Sequence, residues 1–365
     1  MADRVRWIKL LFHAVALVLV IWGIWQTVRK SARQLALQRA ELSSRAADLE
    51  QRSEATDGEQ AVAMREEAER LRQQVRDFWK ADAGGLWLAG CCYALGMLPA
   101  ALYWRRCLIA LDQHAPWLAI LWAYFYGNLG KYFPGKAMVI VLRLGALEKF
   151  GIKRIATSIT IFMETLTMMA VGGAVAAGCL LLLNLDWKLS VLALALLVMT
   201  FVPIAPPLLK RLIPRLQKGV DTATLAQWSD RINWPLISRG WLTLGLTWIG
   251  FGLSLLLVLR SLPSADFGDA SSTTIALSVF GASALAVVLG FVSLIPGGAG
   301  VREVVLSTVL TPVVGPTAAL CSALWVRIVW LATELALVAL LGILNMAMRR
   351  LSQSAREPAF HETVG

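Results

Sequence analysis

Apolar runs long enough to cross a bilayer recur along this chain, and their recurrence leaves it few ways to fold. A membrane-spanning helix needs about 20 consecutive apolar residues. Runs of that kind lie near residues 8–28, 86–104, 155–183, 189–209, 236–259 and 318–348. One all-α polytopic membrane protein accounts for them better than soluble domains do. Composition agrees: 57% of the 365 residues are hydrophobic and only 16% are charged, where a soluble domain carries about a quarter charged residues.

The net charge is +11. Because the positive residues sit between apolar spans, they report topology and contact with anionic lipid headgroups, not a nucleic-acid partner. Arg105 and Arg106 follow the second run, and Arg349 and Arg350 follow the last. Lys210, Arg211, Arg215, Lys218 and Arg231 cluster in one loop. Positive residues collect on the cytoplasmic side, which predicts a multi-pass protein of the cell inner (cytoplasmic) membrane with both termini cytoplasmic. The first run lacks a small-residue cleavage site and continues into a helical pattern, so it reads as an anchor helix and not as a cleaved signal.

The chain divides accordingly into an anchor over 1–28, a polar stretch over 29–83, a membrane domain over 84–349 and a cytoplasmic tail over 350–365 expected to be disordered. The polar stretch carries apolar residues at alternating steps of three and four, with Arg39 as the one polar interruption: Val28, Ala32, Leu35, Leu42, Ala46 and Leu49, then Met64, Ala68, Leu71, Val75 and Phe78. That spacing gives each arm one coiled-coil-like seam. It predicts an antiparallel helical hairpin turning near Asp57-Gly58, outside the cytoplasm, as a spacer or as a surface for a membrane-protein partner.

Two apolar segments are interrupted. Residues 117–147 are broken by Lys131-Tyr132-Phe133-Pro134-Gly135-Lys136, and residues 273–314 by Ile295-Pro296-Gly297-Gly298-Ala299-Gly300. Irregular backbone at membrane depth survives only where it is buried in protein or lines a polar cavity. If both segments are re-entrant, the charge distribution closes with six full spans and two half-membrane hairpins of opposite orientation. A full crossing by 273–294 is the other reading, and it would put Arg349 and Arg350 outside. The paired breaks resemble an inverted repeat, in which broken helices meet near the midplane around a substrate. Structural kinks with interfacial charges would leave the same pattern.

A helix starting after each break would present amide groups that attract anions. Lys136 stands at the first such start, and Arg302 and Glu303 at the second. Arg143 and Glu148 lie downstream of the first break, and Asn128 just before it. Asn128 reads as a polar ligand or as a helix-end hydrogen bond. Glu164, Arg327 and Glu334 are ionisable groups inside apolar runs, which cost a few kcal/mol unless paired or hydrated. Arg327 and Glu334 are too far apart along one helix to pair with each other. Each needs a partner on another element, with Glu303, Glu164 and Arg302 as candidates. A structural ion-pair network and a transport path both fit these charges.

The stretch Gly127-Asn128-Leu129-Gly130-Lys131-Tyr132-Phe133-Pro134-Gly135-Lys136, then Arg143, Glu164 and Ile295-Pro296-Gly297-Gly298-Ala299-Gly300-Val301-Arg302-Glu303, resembles the lysylphosphatidylglycerol synthase transmembrane region, or flippase-like family, over about 86–348. The resemblance implies a domain that moves an anionic or aminoacylated phospholipid, or a polyprenyl-linked sugar, between leaflets. It also implies that Arg143, Glu164, Arg302 and Glu303 sit near the path. The sequence departs from that pattern in carrying Thr165 where the family commonly has Arg. The soluble domain that makes aminoacyl lipid in bifunctional members is not found after the last span, so aminoacyl transfer is not expected and the chain is read as a non-enzyme. The hairpin lies outside the resemblance.

The candidate lipid-binding set is therefore Asn128, Lys131, Pro134, Gly135, Lys136, Arg143, Glu164, Pro296, Gly297, Gly298, Gly300, Arg302, Glu303, Arg327 and Glu334. No cofactor or metal is expected. Cys91, Cys92, Cys107, Cys179 and Cys321 have no C-x-x-C spacing, the three histidines are scattered, and no G-x-x-x-x-G-K-[ST] motif occurs. A non-transporting accessory subunit that scaffolds a lipid-modifying enzyme or a glycosyltransferase is the second reading. A polyprenyl-phosphate enzyme is the third, disfavoured by the lack of paired Asp or clustered His.

Overall fold

The computed structural model describes residues 39–77, 79–133, 137–183, 187–202, 205–208 and 222–354, with a few positions between 29 and 37. The expected first span, the Pro134–Gly135–Lys136 break, most of the basic loop after residue 208 and the tail beyond Ser354 lie outside the described residues. So do the seam positions Val28, Ala32, Leu35 and Phe78. Every regular element among the described residues is helical.

A helix over 39–54 (α1) and Glu59–Asp77 (α2) are joined by a short turn in which Gly58 has φ +83°. Arg72 of α2 forms an ion pair with Glu50 of α1, so the two arms fold back as a hairpin. Small residues carry the seam: Ala46, Ser53, Ala61 and Ala68 are buried. The base of the hairpin rests on the membrane domain, where Leu42 and Ala81 pack against Leu262, Leu320, Cys321 and Leu324.

The membrane domain comprises α3 (Ala83–Ala110), α4 (Trp117–Asn128), a 3-10 turn (Leu129–Tyr132), α5 (Ala137–Leu147), α6 (Arg154–Leu182), α7 (Trp187–Phe201), α8 (Thr222–Arg231), α9 (Trp234–Arg260), α10 (Ser272–Val292), a second 3-10 turn (Pro296–Gly298), α11 (Val301–Val314) and α12 (Pro316–Ser354). Five of these, α3, α6, α9, α10 and most of α12, are long and apolar enough to cross a membrane. The chain is an all-α polytopic membrane protein. Three starts are capped by side chains, because the first amides of a helix have no intrahelical acceptor. Asp82 accepts from Gly85 N (2.6 Å), Asn233 from Leu236 N (3.1 Å) and Ser271 from Thr274 N (3.1 Å).

Cross-links at the two ends of the bundle give its topology. At one end, Asp82 N donates to Ser261 O (2.8 Å), which ties the start of α3 to the end of α9; the start of α12 joins them through Leu320 and Leu324. At the other end, Lys153 N donates to Gln113 Oε1 (2.8 Å), and Arg231 pairs with Asp112. The end of α3 and the starts of α6 and α9 therefore lie together. The segment 117–147 leaves that second end and returns to it. The segment 272–314 leaves and returns at the first end. Each broken segment thus leaves and returns at one end of the bundle, and the two do so from opposite ends.

Their limbs are not alike. α4 and α5 have 12 and 11 residues, about 17 Å each at 1.5 Å per residue, roughly half of a hydrocarbon core. α11 has 14 residues, but α10 has 21 and could cross on its own. The second hairpin thus departs from the expected half-membrane form in its first limb, because the apolar run before Ile295 stays helical down to Val292. α7, expected to span as 189–209, is regular over 15 residues. α12 continues past Arg350 to Ser354, so the segment expected to be a disordered tail begins as helix; extending an existing helix costs little compared with starting one.

The bundle closes where α3 and α9 cross at glycine. A Cβ on Gly250 would lie 2.5 Å from Gly96 Cα, so neither position admits a side chain without moving a backbone. This is the close approach that small residues permit between membrane helices. Tyr93, Phe251 and Trp330 stack beside the crossing, with Tyr93 4.6 Å from the Trp330 ring.

Candidate functional site

The two breaks meet in the interior, where the first 3-10 turn touches the second. Three buried ion pairs hold this junction together, and each joins separate elements.

The first pair centres on Arg143 of α5. Its Nη1 donates to Glu164 Oε2 on α6 (2.9 Å), and its Nη2 donates to Asn128 Oδ1 at the end of α4 (3.0 Å). The guanidinium lies 4.3 Å from the Tyr124 ring and 4.6 Å from the Trp104 ring, within reach of the cation–π attraction. Tyr124 Oη donates to Glu164 Oε1 (3.1 Å). Gly127 makes the room: a Cβ there would sit 2.3 Å from Arg143 Cγ. Asn128 is thereby a ligand of Arg143.

The second pair is Lys131 with Glu334 of α12, whose side chain is fully buried. Tyr93 also donates to Glu334, and Tyr132 Oη donates to its Oε2 (3.2 Å). The third pair joins α12 to α11. Arg327 Nη1 lies 3.0 Å from Glu303 Oε1, and its Nη2 donates to Glu303 Oε2 and to Gly298 O (both 3.1 Å). Glu303 in turn accepts from Gly300 N (2.8 Å). Arg327 thus finds Glu303, one of the partners its depth required. Glu334 finds Lys131, which was not among the candidates.

At the start of α11 the N-cap amide, Gly300 N, is thereby turned to the chain's own carboxylate. The glycines shape the loop. Gly297, Gly298 and Gly300 have φ of +59°, +66° and +88°, conformations that residues with a Cβ rarely adopt. Gly298 also lies against Gly290 of α10, where a Cβ would be 2.8 Å from Gly290 Cα.

A cavity of about 460 Å³ opens at the junction. Its walls are mostly apolar, with Met97, Val139, Ile140, Ile161, Met169 and Val287 among them. Asn128, Lys131, Arg143, Glu164, Gly297, Gly298 and Arg302 form its polar lining. Phe162 and Leu294 line it as well, and they are 57% and 63% exposed. They mark its mouth at the protein surface. Lys131 and Arg143 have carboxylate partners. Arg302 has none among the described residues, and its Nε is buried without a hydrogen-bond partner. Its side chain lies against Gly290 and Gly298, which leave space for it.

The structure therefore gathers Asn128, Lys131, Arg143, Glu164, Gly297, Gly298 and Arg302 on one cavity, with Glu303, Arg327 and Glu334 behind them as partners. Gly300 shapes the loop, and Pro296 begins its 3-10 turn. Pro134, Gly135 and Lys136 lie outside the described residues. Sequence reasoning missed Tyr93, Tyr124, Trp104, Tyr132 and Trp330. A tyrosine within an apolar span was the available signal, since its hydroxyl needs a partner at that depth.

The family model described as "Lysylphosphatidylglycerol synthase TM region" matches residues 70–337. No curated protein matches the chain.

Proposed function

The chain belongs to the lysylphosphatidylglycerol synthase transmembrane-region family, and on that premise we propose that it carries the headgroup of an anionic lipid between leaflets. The supporting observation is the cavity where the two breaks meet: apolar walls, a polar lining, one guanidinium unpaired among the described residues and a mouth at the exposed Phe162 and Leu294. Its volume falls within the range of roughly 300–1,000 Å³ usual for small-molecule sites. It has room for a headgroup and the first methylenes, not for two full acyl chains, so the tails stay in the bilayer while the headgroup crosses. The oppositely oriented hairpins supply two gates, one from each end of the bundle.

The proposed setting is the cytoplasmic membrane with both termini inside, supported by the placement of Arg105, Arg106, Arg349 and Arg350. On this reading the protein is a carrier and not an enzyme. Leaflet exchange tests it. Purified protein in liposomes should speed the loss of a headgroup-labelled anionic phospholipid from the protected leaflet, compared with protein-free vesicles. Equal rates would refute the proposal.

The α1–α2 hairpin favours a second reading, a scaffold for a membrane enzyme, because it offers a partner surface beside the membrane domain. Deleting residues 30–80 separates the two. Exchange survives the deletion if the cavity is the working part, whereas partner capture is lost if the hairpin is.

A further inference from the structure

The charge pattern around the cavity goes further than its shape. Among the described residues, four cations surround the junction of the breaks: Lys131, Arg143, Arg302 and Arg327. Three have a buried carboxylate each, in Glu334, Glu164 and Glu303. Arg302 has none among the described residues, and the carboxylate of the neighbouring Glu303 is taken by Arg327 and Gly300 N. Among the described residues the surplus is one positive charge, carried by a guanidinium on the cavity wall.

An unpaired cation in such a place is costly unless water or an anion meets it. Guanidinium presents a planar fork of donors that matches two oxygens of one phosphate. We infer that this cavity selects a lipid whose headgroup carries a single phosphodiester and a net charge of −1. The inference rests on the carrier reading above.

The same accounting disfavours the other lipid classes. A zwitterionic or lysyl headgroup brings an ammonium group into a lining where the described charges already leave a cation in surplus. Glu164 is the acid on the cavity wall among the described residues, and Arg143, Tyr124 and Thr165 already use it. A diphosphate brings a second negative charge next to Glu164, with no further free cation among the described residues to meet it. Discrimination of this kind comes from what is left unpaired for the wrong ligand.

The test measures binding to the full-length protein in detergent by calorimetry. The probes are short-chain phosphatidylglycerol, phosphatidylcholine, lysylphosphatidylglycerol and farnesyl diphosphate, with tail-free glycerophosphoglycerol as a further arm. Phosphatidylglycerol should bind about tenfold or more tighter than each of the other lipids, the size of effect a charge-assisted hydrogen bond gives. Glycerophosphoglycerol should bind weakly, because the apolar wall contributes nothing to it. Arg302→Gln should abolish the preference, and Arg302→Lys should keep part of it, which covers the case in which the Gln variant fails to fold.

Equal or tighter binding of the zwitterionic, lysyl or diphosphate lipid overturns the inference, as does a preference unchanged in Arg302→Gln. If glycerophosphoglycerol binds as tightly as the lipid, the ligand is a soluble phosphodiester and the lipid assignment fails. A selective binder that exchanges no lipid in liposomes would keep the headgroup class but remove the carrier reading. Exchange without selectivity would do the reverse.

Discussion

Replacing Glu164 by Leu should remove one of the largest single contributions to stability in the membrane domain. Arg143 and Glu164 are each 2% exposed, and their charged ends are 2.9 Å apart. Without Glu164, the guanidinium keeps Asn128 and two ring faces but no counter-charge, and the Tyr124 hydroxyl loses its acceptor. Breaking a buried pair by removing one partner costs about 3–5 kcal/mol, because the other charge stays buried. Arg143→Met should cost a similar amount by stranding the carboxylate. The double variant strands neither, and exchanging a buried pair for apolar residues of similar volume is often neutral or stabilising. Unfolding free energies in mixed micelles, followed by tryptophan fluorescence, should give singles that are strongly destabilised and a double far less so than their sum. Additive losses, or singles within about 1 kcal/mol of the parent, would refute the reading of this pair as a coupled, desolvated unit.

Further predictions follow from the same geometry. Gly250→Ala should separate α3 from α9 and lower the melting temperature in detergent, because its new Cβ would press on the Gly96 backbone; an unchanged melting temperature would argue against the close crossing. Gly300→Ala should destabilise by roughly 1–3 kcal/mol from backbone strain at φ +88°, read by the same unfolding assay. Lys131→Met should leave Glu334 with tyrosine partners alone and slow lipid exchange; an unaltered rate would show that this pair does not hold the junction. A cysteine placed at Asp57 should react with a membrane-impermeant reagent added outside intact cells, and labelling only from the cytoplasmic side would invert the proposed orientation.

Much of this architecture could be read from residue order because its signals are local. Proline and glycine inside apolar runs, and ionised groups at hydrocarbon depth, stand out against 57% hydrophobic residues. The opposed hairpins were one of two topologies that the breaks and the charge placement allowed. Pairing was less accessible. Lys131 and Glu334 lie far apart in the chain, and hydropathy does not say which acid meets which base. At the start of α11 the sequence shows Glu303 beside Arg302, but not that its carboxylate turns back to Gly300 N and across to Arg327. The limb lengths of the second hairpin stayed open between two readings, because a hydropathy profile shows where an apolar run ends but not where its helix stops. Tyr93 and Tyr124 read as ordinary core aromatics until their hydroxyls are seen on Glu334 and Glu164.

The central claim, that the junction of the two breaks holds a lipid headgroup through Arg302, is tested most directly by mass spectrometry of lipids that co-purify with the protein. The wild type should retain an anionic phospholipid class above its abundance in the membrane, and Arg302→Gln should lose that enrichment while keeping a monodisperse fold. A wild type that enriches no lipid class, or an enrichment that survives the substitution, would contradict it.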